Sequence, residues 1–185
     1  MRIPLILLAL SAMICAVGVV VPGYADALFL GLITGAAALF LTVQALWRRR
    51  ARAMAPSILL DGSNVMHWNN GQPSLEPVRE VLTHLRQQGY QPGVVFDANA
   101  GYKLEGRYRN HREMAQQLGL SPDYVLVVNK GVPADRFILQ FAQDHDARVV
   151  TNDRFRDWAA QFPDVSKPGY LVSGAYRGGA LTLNL

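Results

Sequence analysis

Two long uncharged stretches at the start of the chain constrain it most. Ile3 to Val21 is 19 residues without a charge, and Ala27 to Trp47 is a further 21, with Pro22-Gly23-Tyr24-Ala25-Asp26 between them. At 1.5 Å of rise per residue each is long enough to cross a hydrocarbon core as a helix, so the pair reads as a transmembrane hairpin. Arg2 precedes the first stretch, and Arg48, Arg49, Arg50 and Arg52 follow the second. Basic residues beside a span stay on the cytoplasmic side, which places both termini and the C-terminal part in the cytoplasm, at the inner membrane of a bacterial-type cell. The rival reading is a signal peptide cleaved near Ala25-Asp26-Ala27, and the first apolar run is long for one. Gly31 and Gly35 form a G-x-x-x-G that suits packing within the hairpin and a homodimer equally well.

The division falls near residue 56, giving an anchor with a basic linker over 1–56 and one domain over 57–185. Residues 57–185 hold 13 Lys+Arg against 13 Asp+Glu, so the chain's charge of +4 belongs to the arginines beside the membrane. The high pI is therefore topological and no argument for nucleic-acid binding. The one cysteine, Cys15, lies in the first apolar run, which excludes disulfides, Cys-ligated zinc and thiol chemistry from the domain.

Within the domain, short apolar runs alternate with helical patterns. Ser57–Leu60, Gly93–Phe96, Tyr124–Val128 and Arg148–Thr151 suit strands, because four or five apolar residues without alternation describe a strand buried on both faces. Leu75, Val78, Leu82 and Leu85 recur at helical spacing behind Ser74 as N-cap. A second helix is expected over about 107–118, a third opens at Pro133, and a short one runs through Trp158. Tyr170–Ala175 and Ala180–Leu183 flank Arg177-Gly178-Gly179 as a terminal hairpin. The class is α/β: a three-layer α/β/α domain with a mostly parallel central sheet.

Acids follow the strands. Asp61 ends the first, Asp97 the second, Asn152-Asp153 follows the fourth, and the third leads through "NKGVPAD" to Asp135. In a parallel sheet these positions share the carboxyl edge, where open α/β sheets bind ligands. Each acid alone is an ordinary turn or cap residue. Four at one edge of a neutral domain call for a cation, and Mg²⁺ or Mn²⁺ suits oxygen ligands and the hydrolysis of phosphodiesters. Asn64 and Asn152 are candidates for orienting a carboxylate or touching phosphate. Lys103, Arg107 and Arg109, interleaved with Tyr102 and Tyr108, follow the Asp97 loop and offer cations and rings to single-stranded RNA. His67 lies close behind the Asp61 loop.

"ILLDGSNV", "ADRFILQFA" and "VVTNDRFRDW", in that order, resemble the NYN domain of the Regnase-like ribonucleases in the PIN-like superfamily, over about 57–176. The resemblance implies a PIN-like fold and Mg²⁺- or Mn²⁺-dependent endonucleolytic cleavage of RNA, with Asp61, Asp135 and Asp153 as metal-site acids supported by Asn64. Eukaryotic relatives have an Asp pair where this chain has Ala134-Asp135, so one acid is missing, and they carry a Cys-rich zinc finger that it lacks. The expected function is a membrane-tethered, metal-dependent endoribonuclease. Two alternatives compete: a non-cleaving RNA-binding or scaffold module, motivated by Ala134, and a haloacid-dehalogenase-like phosphatase. Ser63 counts against the phosphatase, since it stands where a second aspartate is expected.

Overall fold

The structure is a computed structural model that describes residues 2–53 and 55–185. It divides into two compact units, Met1–Met54 and Ala55–Leu185.

The first unit is a pair of helices, α1 (Arg2–Val20) and α2 (Ala25–Ala53). Among the described residues, one stretch is long and apolar enough to cross a membrane, Ala25–Trp47; the apolar part described in α1, Ile6–Val20, is shorter. The side chains of Arg2, Arg48, Arg49 and Arg52, on which the orientation argument rests, lie outside the described ones. The G-x-x-x-G faces α1: a methyl on Gly31 would meet the Cys15 side chain, and one on Gly35 would lie 3.1 Å from Ser11 Oγ. Small residues let the two backbones approach, and the hairpin itself occupies that face.

The second unit is built on a five-stranded sheet: β1 (Ser57–Asp61), β2 (Gln91–Phe96), β3 (Val125–Val127), β4 (Arg148–Val150) and β5 (Leu171–Val172). All neighbours are parallel, in the order β3-β2-β1-β4-β5. β1 is followed directly by a single helical turn, α3 (Gly62–Val65). It is central, and its last four residues are all buried. That explains its unbroken apolar run, since side chains on both faces must be covered. On one face Ile58, Leu60, Val94 and Phe96 pack under α4 (Glu76–Gln87) and α6 (His111–Leu118); on the other, Leu59, Val95 and Val149 meet α7 (Ala134–Asp144). Both cores are drawn from this unit's own residues, as a separately folding domain requires.

Several local expectations are corrected. The helix expected over about 107–118 begins only at His111, as α6, which Asn110 starts by a capping box with Glu113, and a short helix that was not expected, α5 (Ala100–Glu105), precedes it. Asn110 and Glu113 satisfy each other's backbone N–H groups, a stronger start signal than the apolar spacing. The segment between α5 and α6 folds over Gly101, where a Cβ would stand 2.6 Å from Arg109 N and 2.7 Å from Arg107 O. Ser74 stands one residue outside the cap of α4, which is Leu75, and its Oγ accepts from Glu76 N. The segment through Trp158 is a single 3₁₀ turn, Arg156–Trp158. Tyr170–Ala175 is not one strand: it supplies β5 and, past Ser173, β6 (Gly174–Arg177), which pairs antiparallel with β7 (Ala180–Leu183).

Candidate active site

The strand order reverses at β1. The chain proceeds outward through β2 and β3, then crosses to β4 on the other side. The carboxyl ends of β1 and β4 therefore flank a topological switch point, where such sheets open a crevice for ligands. Asp61 is the last residue of β1, and Thr151-Asn152-Asp153 follows β4 directly.

Asp61 is 7% exposed. Its Oδ1 accepts from Asn64 N at 3.1 Å and its Oδ2 from the Thr151 hydroxyl at 3.1 Å. Burial pushes its carboxyl up to about 7, and the charges of Asp135 and Asp97 add to the rise, against the lowering effect of the two hydrogen bonds. Asp135, in the first turn of α7, is also raised, first by burial and then by Asp153; a hydrogen bond from Trp158 opposes this, and Asp97 adds to it. Asp61, Asp97 and Asp135 thus lie within electrostatic range of one another, and Asp153 within range of Asp135. Asp153 is exposed and Asp97 half-buried.

The small groups around them are not spacers. The room that Gly62 leaves beside Asp61 is for β2: a Cβ there would be 2.5 Å from the Phe96 ring and 2.7 Å from Val94 Cγ1. Ser63 Oγ accepts from Asp97 N at 2.7 Å and so fixes the second acid's backbone to the first acid's loop. Thr151 does the same between the first and last acids, donating to Asp61 while accepting from Asp153 N at 3.1 Å. Asp153 Oδ1 accepts from Phe155 N, closing an Asx turn that ends on a left-handed Phe155, φ +47°.

Asn64 and Asn152 are occupied with each other's loops. Asn64 Oδ1 accepts from Trp68 Nε1 at 2.8 Å and from Asn152 N at 3.0 Å. Asn152 bonds both main-chain groups of Gly174. His67 Nδ1 lies on the Gly71 carbonyl. In the basic segment Arg109 is turned inward, its side chain 14% exposed and paired with Glu105 and Glu113, and Arg107 pairs with Glu113 at 3.0 Å. Lys103, Tyr102 and Tyr108 stay exposed.

Among the described residues no group of three or more His, Cys, Asp or Glu side chains is arranged so that it could hold a metal ion as it stands. The donors present are carboxylates, one of them buried, and oxygen donors are the type that Mg²⁺ and Mn²⁺ take. Mg²⁺ is commonly held by one or two carboxylates and its own waters, and it needs no preformed cage.

Residues 54–168 match the model of the Zc3h12a-like ribonuclease NYN domain. The chain belongs to that family. Its NYN domain is similar in fold to the crystal structure of nuclear proteinaceous RNase P 2 (PRORP2) from A. thaliana, with a TM-score of 0.55 and 21% identity over 71% of this chain and 30% of that one. A second structure of the Arabidopsis thaliana nuclear protein-only RNase P 2 gives 0.52 and 18% over 80% of this chain and 35% of the other. The chain spans about a third of the length of those proteins, and at such identities the likeness concerns the fold. A comparison with curated protein sequences gives no match. Ser63, Thr151 and Trp158, which bond the acids or their turns, are the residues that sequence reasoning missed. A hydroxyl after a strand and a tryptophan after a turn carry no spacing signal, although "DGS" and "TND" place both hydroxyls within two residues of an acid.

Proposed function

We propose that this NYN protein is a membrane-tethered endoribonuclease that hydrolyses single-stranded RNA with Mg²⁺ or Mn²⁺, carried on the two-span anchor of residues 1–56 with its 57–185 domain in the cytoplasm. The observation that supports the reading is the gathering of Asp61, Asp97 and Asp135 at the switch point of the sheet, with Asp153 on the β4 loop beside Asp135. These four would hold the ion, which when bound supplies charge neutralisation at the scissile phosphate and a more acidic water.

The chain's own residues do the rest. Thr151 and the Asn64 N–H hold the Asp61 carboxyl in one orientation, the Ser63 hydroxyl fixes the Asp97 turn, and Trp158 orients Asp135 at the head of α7. Lys103, exposed beside Tyr102, binds the RNA backbone, and the tyrosine rings take bases. Arg107 and Arg109 serve that surface through their ion pairs with Glu105 and Glu113, which hold the segment in place.

The missing acid favours a second reading, an RNA-binding module that does not cut. Ala134 is 5% exposed in the apolar cluster beneath α7. Asp97, whose charge reaches both Asp61 and Asp135, replaces the absent carboxylate in the first reading. The phosphatase alternative has little support, because Ser63 stands where a second aspartate is expected and its hydroxyl oxygen accepts from Asp97 N.

The test is cleavage of single-stranded RNA by the purified domain with Mn²⁺, with and without EDTA, beside Asp153→Asn. Metal-dependent cleavage that the variant lacks is the expected result. Equal trace activity in both, with RNA still bound, would establish the second reading in place of the first.

A further inference from the structure

The β6–β7 hairpin, Gly174–Leu183, lies beyond the 54–168 stretch that defines the family match. It is nevertheless joined to the site. Asn152 Nδ2 donates to Gly174 O at 2.9 Å, and Gly174 N donates to Asn152 Oδ1 at 3.1 Å. One side chain thus makes the two bonds that a paired strand residue would make. Gly174 is itself pressed against the Trp68 ring, where a Cβ would collide, and Trp68 Nε1 donates to Asn64 Oδ1. Asn64 Oδ1 accepts in turn from Asn152 N, which closes a ring: Asn152, Gly174, Trp68, Asn64, Asn152.

The hairpin is a firm support for such a ring. Tyr176 donates to Glu80 of α4 at 2.6 Å, Asn184 N bonds Ser173 O, and Leu181 and Leu183 pack on the core beneath α4. On the other side of Asn152, Thr151 bonds Asp61 and Asp153 caps its own turn. We propose that the terminal hairpin is a positioning element of the site: through Gly174 it grips Asn152 and sets the β4 loop, and with it the place of Asp153. Asn152 touches no substrate in this scheme, and its role in turnover rests on the nuclease reading above.

The experiment uses the full chain in detergent, comparing wild type, Asn152→Ala and Gly174→Ala by amide hydrogen exchange and by RNA turnover. Thr182→Ala, which removes a bond from Thr182 to Ala175 O within the hairpin, is the control. Both ring variants should raise exchange over 151–155 about tenfold, and lower kcat on the order of ten- to a hundredfold with KM within about twofold, the signature of misplaced reacting groups. The control should change neither. Exchange that rises only within 174–184, or not at all, overturns the proposal whether or not the protein cuts RNA. If wild type cleaves, Asp153→Asn does not, and Asn152→Ala cleaves at the wild-type rate, the positioning role fails and the nuclease reading stands. If wild type cuts nothing, the nuclease reading fails, and exchange over 151–155 alone decides whether the hairpin sets the loop.

Discussion

Replacing Asp61 by asparagine tests the electrostatics of the site without reference to RNA. Without a divalent ion, the folded state holds the Asp61 carboxyl near pH 7, against 3.8 for the unconstrained group. Between those values the native state binds the proton that the unfolded chain has released, so the contribution to stability is complete below about pH 4 and is lost as pH rises to 7. Three units of pKa correspond to about 4 kcal/mol as an upper limit. The introduced amide cannot ionise, but its nitrogen must face the Thr151 hydroxyl that now donates to Oδ2, which costs about 1 kcal/mol. Wild type should therefore be slightly the more stable at pH 4, and Asp61→Asn the more stable at pH 8 by up to about 3 kcal/mol. Asp135, raised in both proteins, leaves a shallow common slope.

Urea unfolding of residues 55–185 in EDTA, followed by the fluorescence of Trp68 and Trp158, reads the difference at each pH. Mn²⁺ at a hundred times its Kd should restore about 2.7 kcal/mol to wild type at pH 8 and much less to the variant. Parallel loss of stability in the two proteins from pH 4 to 8 would refute the argument, because the carboxyl would then not be the group that titrates.

Gly62→Ala should destabilise the domain by about 1 to 3 kcal/mol in the same assay, because the new methyl overlaps the Phe96 ring and Val94. Lys103→Ala should weaken RNA binding and reduce the slope of log affinity against log salt by about 1, with the melting temperature unchanged. Arg109→Ala should do the reverse, lowering the melting temperature while leaving that slope alone, since its charge is taken up by Glu105 and Glu113.

The strands that build the site are legible in the sequence because burial on both faces removes the ambiguity of alternation: "SILL" and "GVVF" admit few other environments. The acids at their ends are legible for the same reason, since parallel strands place their last residues at one edge. What holds the acids is not legible. Ser63 and Thr151 act through hydroxyls whose partners are 34 and 90 residues away, and no local period reports such a pairing. Asn64 stands three residues after Asp61, as a supporting residue would, yet its side chain turns to Trp68 and Asn152 and leaves only its N–H for the acid. Arg107 and Arg109 look available as letters; a neighbouring capping box supplies the glutamate that takes them. β5 is hidden by its length, two residues set off from the hairpin by Ser173.

The central place of β1 has a consequence during synthesis. β1 can pair with β2 about thirty residues later, but its other edge stays open until β4 has been made, where Leu60 meets Val150. Contacts of such span form late, because the intervening loop must be closed before they are rewarded. Asp61 therefore waits for Thr151 while Asp97 and Asp135 have already left the ribosome. A chain that stops short of β4 carries three of the four acids, and Ser63 can already tie the Asp97 turn to the Asp61 loop. It lacks the Thr151 hydroxyl that bonds Asp61, and it lacks Asp153, so the four come together only once β4 and its loop are made.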